Sequence, residues 1–125
     1  MLPGTLLPNA NLRFTCREVR LEVVNPETPF TGACPANARL AIPVKHAWGR
    51  YHADRETLDA MGERGQVVLR YASGENFNGS AQDIAGVCNE TRNVFGLMPH
   101  PERMSEPVLG GADGRKLFES VLASA

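Results

Sequence analysis

Apolar and polar residues alternate in several short runs along this chain, and short alternating runs predict strands. Between Arg13 and Val24 the alternation changes phase: Phe14 and Cys16 share one face, while Val19, Leu21 and Val23 share the other. A bulge near Arg17-Glu18 is the simplest device that changes phase in this way. Leu40, Ile42 and Val44 alternate again and predict a strand ending near His46. Val67 to Tyr71 reads as another strand, and Ile84 to Cys88 pairs with Val94 to Met98 around a turn at Glu90-Thr91-Arg92-Asn93. The opening residues, with prolines at 3 and 8, read as irregular chain. Asn25 to Pro29 and Gly32 to Pro35 carry turn chemistry, and Ser73 to Ser80 reads as a polar loop.

Helical spacing occurs twice. Asp54 has the side chain of an N-cap, Glu56 falls in the first turn, Leu58 and Met61 share a face, and Gly65 stops the helix. Asp113 reads as the cap of a last helix with Leu117, Phe118, Val121 and Leu122 as its apolar face. Five predicted strands against two short helices give less helical cover than a mixed α/β sheet buried on both faces requires.

Composition narrows the class. The 125 residues, 42% of them apolar, suit one compact domain. With 13 basic and 14 acidic side chains in no like-charged block, neither nucleic acid nor an anionic membrane is a favoured partner. No apolar run approaches the roughly 20 residues of a membrane span. The first residues lack a signal peptide's basic start and unbroken apolar core. Three widely spaced cysteines without a CxxC favour neither a disulfide framework nor a zinc site. A cytoplasmic protein with free thiols, no cofactor and no metal is the expectation.

The strongest chemical signal is Met98-Pro99-His100-Pro101-Glu102-Arg103. An imidazole exchanges protons near neutral pH, and a carboxylate two residues away can fix its tautomer and stabilise the imidazolium. A solvated loop in which prolines merely end a strand gives the same spacing. Here, however, an apolar strand delivers the pair to a sheet edge, where catalytic groups of α/β proteins gather. Such a pair still requires a nucleophile.

Six segments in order extend the signal: Arg13 to Arg17; Ile42 to His46 with Gly49-Arg50-Tyr51; Asn78-Gly79-Ser80; Ile84 to Asn89; Asn93 to Arg103; and Gly114 to Ser120. Together they resemble the glutamine amidotransferase subunits of phosphoribosylformylglycinamidine synthase, from purine biosynthesis, along nearly the whole chain. The resemblance implies an α/β, class I glutamine amidotransferase-like fold, flavodoxin-like and three-layered. Residues 1–125 would form a single partial domain, the C-terminal, strand-rich part. It also implies a Cys-His-Glu triad in which His100 is the histidine and Glu102 its orienting carboxylate. Glutamine would be hydrolysed through a glutamyl thioester. The ammonia would pass to a large synthetase subunit, accompanied by a small accessory subunit, with ATP and magnesium bound on the synthetase.

The family's nucleophile lies in a Gly-x-Cys-Asn-Gly-x-Gln elbow, which the resemblance places before Met1. The alternative to an active amidotransferase is therefore a catalytically inactive truncated fragment or an interaction module. Cys88 echoes the elbow in Gly86-Val87-Cys88-Asn89-Glu90, but Asn89 to Arg92 supply neither the small residue nor the helical pattern that an elbow turn needs. Cys88, Cys16 and Cys34 are thus expected to be structural thiols. The family shows His-Gly-Glu-Gly where this chain has His46-Ala47-Trp48-Gly49, leaving His46 and Trp48 between a substrate contact and a structural or subunit contact. His52 reads as a surface residue, Arg103 as a partner for Glu102, for another subunit or for solvent. Asn78 to Ser80 reads as an ordinary turn or an active-site loop.

Overall fold

The computed structural model describes residues 1–125 and orders them as seven strands and two α-helices. Strands β1 (Thr5–Pro8) and β4 (Trp48–His52) form a two-stranded ribbon. Strands β2 (Thr15–Val23), β3 (Arg39–His46), β5 (Val67–Tyr71), β6 (Ile84–Cys88) and β7 (Phe95–Leu97) form a sheet in the order β3-β2-β5-β6-β7. Every pairing is antiparallel.

The sheet must curl. Laid flat at about 4.8 Å per strand, β3 and β7 would stand about 19 Å apart. Yet His100, three residues beyond the end of β7, donates its N–H to the Pro43 carbonyl of β3 at 2.8 Å. Three residues reach at most about 11 Å, so the two edges bend toward each other. This closure also covers the open edge of β3: the Ala41 N–H donates to Asp113 Oδ2 at 2.9 Å.

Alternation explains which side each strand buries. Val19, Leu21 and Val23 of β2 lie against Leu40, Ile42 and Val44 of β3, all at most 1% exposed, with Leu69, Tyr71 and Leu117 completing the main cluster. On the other side Val67, Ile84 and Val87 pack with Tyr51 of β4 and Met61 of α1 (Arg55–Glu63). Both β5 and β6 are therefore covered on two faces, which is why neither shows polar alternation.

Helix α1 begins as its sequence predicts, with Asp54 Oδ1 accepting the Thr57 N–H at 2.8 Å, and ends before Gly65 at φ +65°.

Four expectations need correction. The β2–β3 register runs without a shift from Thr15 opposite His46 to Glu22 opposite Arg39. Phe14 and Cys16 are instead apolar side chains left exposed, and the irregularities of the five-stranded sheet fall between β5 and β6. Thr5–Pro8, expected to be irregular, is a strand because Trp48–His52 pairs with it. The Ser73–Ser80 loop is polar as expected, and within it Asn78 and Ser80 are buried, at 0% and 4% exposed. Asp113 does not cap α2 (Arg115–Ser124); its carboxylate is taken by the Ala41 N–H and Lys116. Within α2 only Leu117 and Ser120 are buried, while Phe118, Val121 and Leu122 face outward.

Candidate active site

Strand β7 delivers the histidine. Proline at 101 disfavours a helical conformation at the residue before it, and His100 stands at φ −106°, ψ 87°. The Pro101 ring then starts a 3-10 turn over Pro101–Met104, a position where its missing N–H costs nothing. This turn brings Glu102 back beneath the ring, with His100 Nδ1 to Glu102 Oε1 at 2.9 Å. Arg103 Nε approaches the same carboxylate oxygen at 3.8 Å, so Arg103 does face Glu102.

An ionised carboxylate only accepts hydrogen bonds, so the proton of the neutral ring lies on Nδ1 and Nε2 is left as the basic atom. The side chains of His100 and Glu102 are 32% and 56% exposed. At that exposure the contact contributes ~0–1 kcal/mol to stability. Its consequence is orientation: it fixes which nitrogen takes a proton.

The turn is held from below by backbone contacts that sequence reading assigned no role. Gly114 N–H donates to the Met104 carbonyl at 2.8 Å. A Cβ on Gly114 would stand 2.1 Å from the Pro101 carbonyl oxygen, so only glycine permits this approach. Arg115 Nε adds a bond to the Ser105 carbonyl at 2.9 Å. The glycine that opens the last helix thus sets the height of the His100–Glu102 turn.

His46 ends β3 and is 7% exposed. Burial first, and then the charge of His100, hold its imidazole below the ordinary histidine value. Its Nε2 lies 3.3 Å from Asn78 Nδ2, and its ring is 5.3 Å from that of Phe77. A Cβ on Gly49 would fall 2.1 Å from Nε2, so glycine at 49 makes room for the ring. Asn9, fully buried, ties the neighbourhood together: Nδ2 donates to the Arg13 and His46 carbonyls at 2.9 Å and Oδ1 accepts from Gly49 at 3.2 Å. Asn9 carried no sequence signal of its own, because its partners lie up to 40 residues away.

The remaining candidates separate. Trp48 is 63% exposed and His52 is exposed at the end of β4. Cys88 is buried, its thiol pushed up by burial, and it pairs with Phe95 at the far end of the β6–β7 hairpin. The strand from Phe95 to Met98 alone puts about 10 Å between that end and the turn carrying His100. Cys34 is buried and likewise raised by burial, whereas Cys16 is exposed on β2. No hydrogen bond joins any of the three thiols to His100. No group of three or more His, Cys, Asp or Glu side chains is placed to hold a metal ion, and no helix is long and apolar enough to cross a membrane.

Known proteins share both the sequence and the fold. A protein named phosphoribosylformylglycinamidine synthase subunit PurQ from Rubrobacter xylanophilus is 56% identical over all 125 residues, which cover 56% of its length. One of the same name from Rhizobium meliloti is 57% identical over 122 residues, 98% of this chain and 55% of that protein. The chain spans about half the length of the curated relatives it matches. A solved structure described as PurLQS from Thermotoga maritima superposes with a TM-score of 0.86 at 46% identity. It covers 98% of this chain and 53% of that one. The family model of the CobB/CobQ-like glutamine amidotransferase domain matches residues 3–113, and the chain belongs to that family.

Proposed function

We propose that this chain carries the general-base half of a glutaminase site, with His100 and Glu102 as its catalytic residues. Glutamine is the substrate and the ammonia serves phosphoribosylformylglycinamidine synthesis. The observation that carries this reading is the 2.9 Å Nδ1–Oε1 contact, which leaves Nε2 of His100 as an oriented base in a chain of amidotransferase ancestry. In the reaction a cysteine thiolate from outside these 125 residues attacks the side-chain amide carbon of glutamine, forming a tetrahedral adduct. The imidazolium of His100 gives its Nε2 proton to the leaving nitrogen, and ammonia departs from a glutamyl thioester. Nε2 then takes a proton from water, whose oxygen attacks the thioester and releases glutamate. Glu102 orients the ring and stabilises the imidazolium throughout.

In this reading residues 1–125 are part of one amidotransferase domain that works in the cytoplasm. It is joined to a large synthetase subunit and a small accessory subunit. ATP and magnesium belong to the synthetase, and the chain itself holds no cofactor. The name of the Thermotoga complex supports assembly with such subunits.

The test is glutaminase activity of the subunit containing this sequence, assembled with its synthetase. His100→Ala is expected to lower kcat by at least about a hundredfold, and Glu102→Gln by less, since triad members act as a unit. The 125-residue chain alone is expected to release no ammonia from glutamine. Full activity in His100→Ala would refute the assignment. Ammonia release by the isolated chain that vanishes in Cys88→Ala would instead make Cys88 the nucleophile.

A further inference from the structure

The two buried or half-buried imidazoles, His100 in the candidate site and His46 at the end of β3, have partners that differ in kind. His100 meets a carboxylate and His46 meets an amide. That amide cannot be turned round. Asn78 Oδ1 accepts from the Ser80 N–H at 3.0 Å and from the Ser80 hydroxyl at 2.7 Å, while Nδ2 donates to the Gly49 carbonyl at 2.9 Å. Reversed, its NH2 would face an N–H and its oxygen would face a carbonyl. An amide nitrogen only donates, so its contact with His46 makes Nε2 the acceptor. The ring proton therefore sits on Nδ1, a buried atom without a protein partner.

We infer that Asn78 is a positioning residue: with Gly49 it fixes His46 in the Nδ1–H tautomer, so that the ring presents no free basic nitrogen and leaves proton transfer to His100. The inference rests on reading His100 as the proton carrier of the site. Other groups facing His46 do not disturb the assignment. Arg17 of β2 lies over the Phe77 ring and pairs with Glu75, and Tyr71 of β5 touches Asn78 rather than the imidazole. No carboxylate hydrogen-bonds the ring to hold a second proton there. Burial and the charge of His100 act in the same direction.

Long-range nitrogen–proton correlation spectra of the full chain at about pH 7 to 8 report ring tautomers directly. His46 is expected as a single Nδ1–H species. A proton on Nε2 of the neutral ring would overturn the inference without any variant. In folded Asn78→Ala protein His46 is expected to populate both tautomers; an unchanged Nδ1–H form removes Asn78 from the role.

Full activity in His100→Ala would sink the reading of His100 while leaving the tautomer measurement standing.

Discussion

Replacing Gly114 with alanine sets two effects of opposite sign against each other. Gly114 lies at φ −63°, ψ −27°, a conformation any residue adopts. Restricting the unfolded chain there would by itself stabilise the protein by ~0.4–1 kcal/mol. Against this, the new Cβ would stand 2.1 Å from the Pro101 carbonyl oxygen and 2.8 Å from its carbonyl carbon. An ordinary C···O contact is about 3.3 Å, so the two segments must separate by about 1 Å. Both partners are backbone, so no rotamer change relieves the clash, and the Gly114–Met104 hydrogen bond ties the segments together. Overpacking of this kind costs ~1–3 kcal/mol. The net expectation is a loss of about 1–2 kcal/mol, read as a fall in Tm of roughly 3–10 °C by circular dichroism. Because Pro101 lies between His100 and Glu102, the displacement falls on the proposed catalytic pair, and under the proposed function glutaminase activity of the assembled enzyme is expected to drop about a hundredfold. Gly62→Ala is the control: nothing lies within 4 Å of its added Cβ inside α1, so it should gain ~0.5–1 kcal/mol. The reasoning fails if Gly114→Ala is as stable and as active as the parent.

Thiol labelling should follow burial. Cys16 is expected to react with an alkylating agent in the native state, and Cys34 and Cys88 only after unfolding; rapid native labelling of Cys88 would contradict its place in the core. At alkaline pH the buried phenols Tyr51 and Tyr71, each pushed up to about 12 by burial, favour the neutral form in the folded state. Their contribution is whole below about pH 10 and is lost as pH rises from there toward 12. For Tyr71, 2% exposed, this amounts to about 2–3 kcal/mol. Tyr71→Phe should flatten the decline in denaturant titrations. On the acid side the sign reverses. His46, held below its ordinary 6.5, binds a proton more readily when unfolded, so stability falls as pH drops below that value. His46→Gln should remove that part of the slope, and an unchanged slope would show that His46 contributes nothing to it.

Features encoded over a few residues were legible in the sequence. The strands Val67–Tyr71 and Ile84–Cys88, the Asp54 cap and the stop at Gly65 need only local patterning and local hydrogen bonds, and they stand where that patterning puts them. The same holds for His100 and Glu102, because two residues and two prolines suffice to bring an imidazole to a carboxylate. What the tertiary structure alone decided depends on partners distant in the chain. Thr5–Pro8 is a strand only because Trp48–His52 lies beside it, and Asp113 left its helix because an unpaired Ala41 N–H on an edge strand offered a better partner. The curl that carries His100 onto β3 leaves no trace in alternation, since alternation records which face is buried and not how a sheet bends. Glycines 49 and 114 look alike in sequence to glycines in open turns. Their necessity comes from an imidazole three residues away and a carbonyl thirteen residues away, distances that only the folded chain brings down to contact.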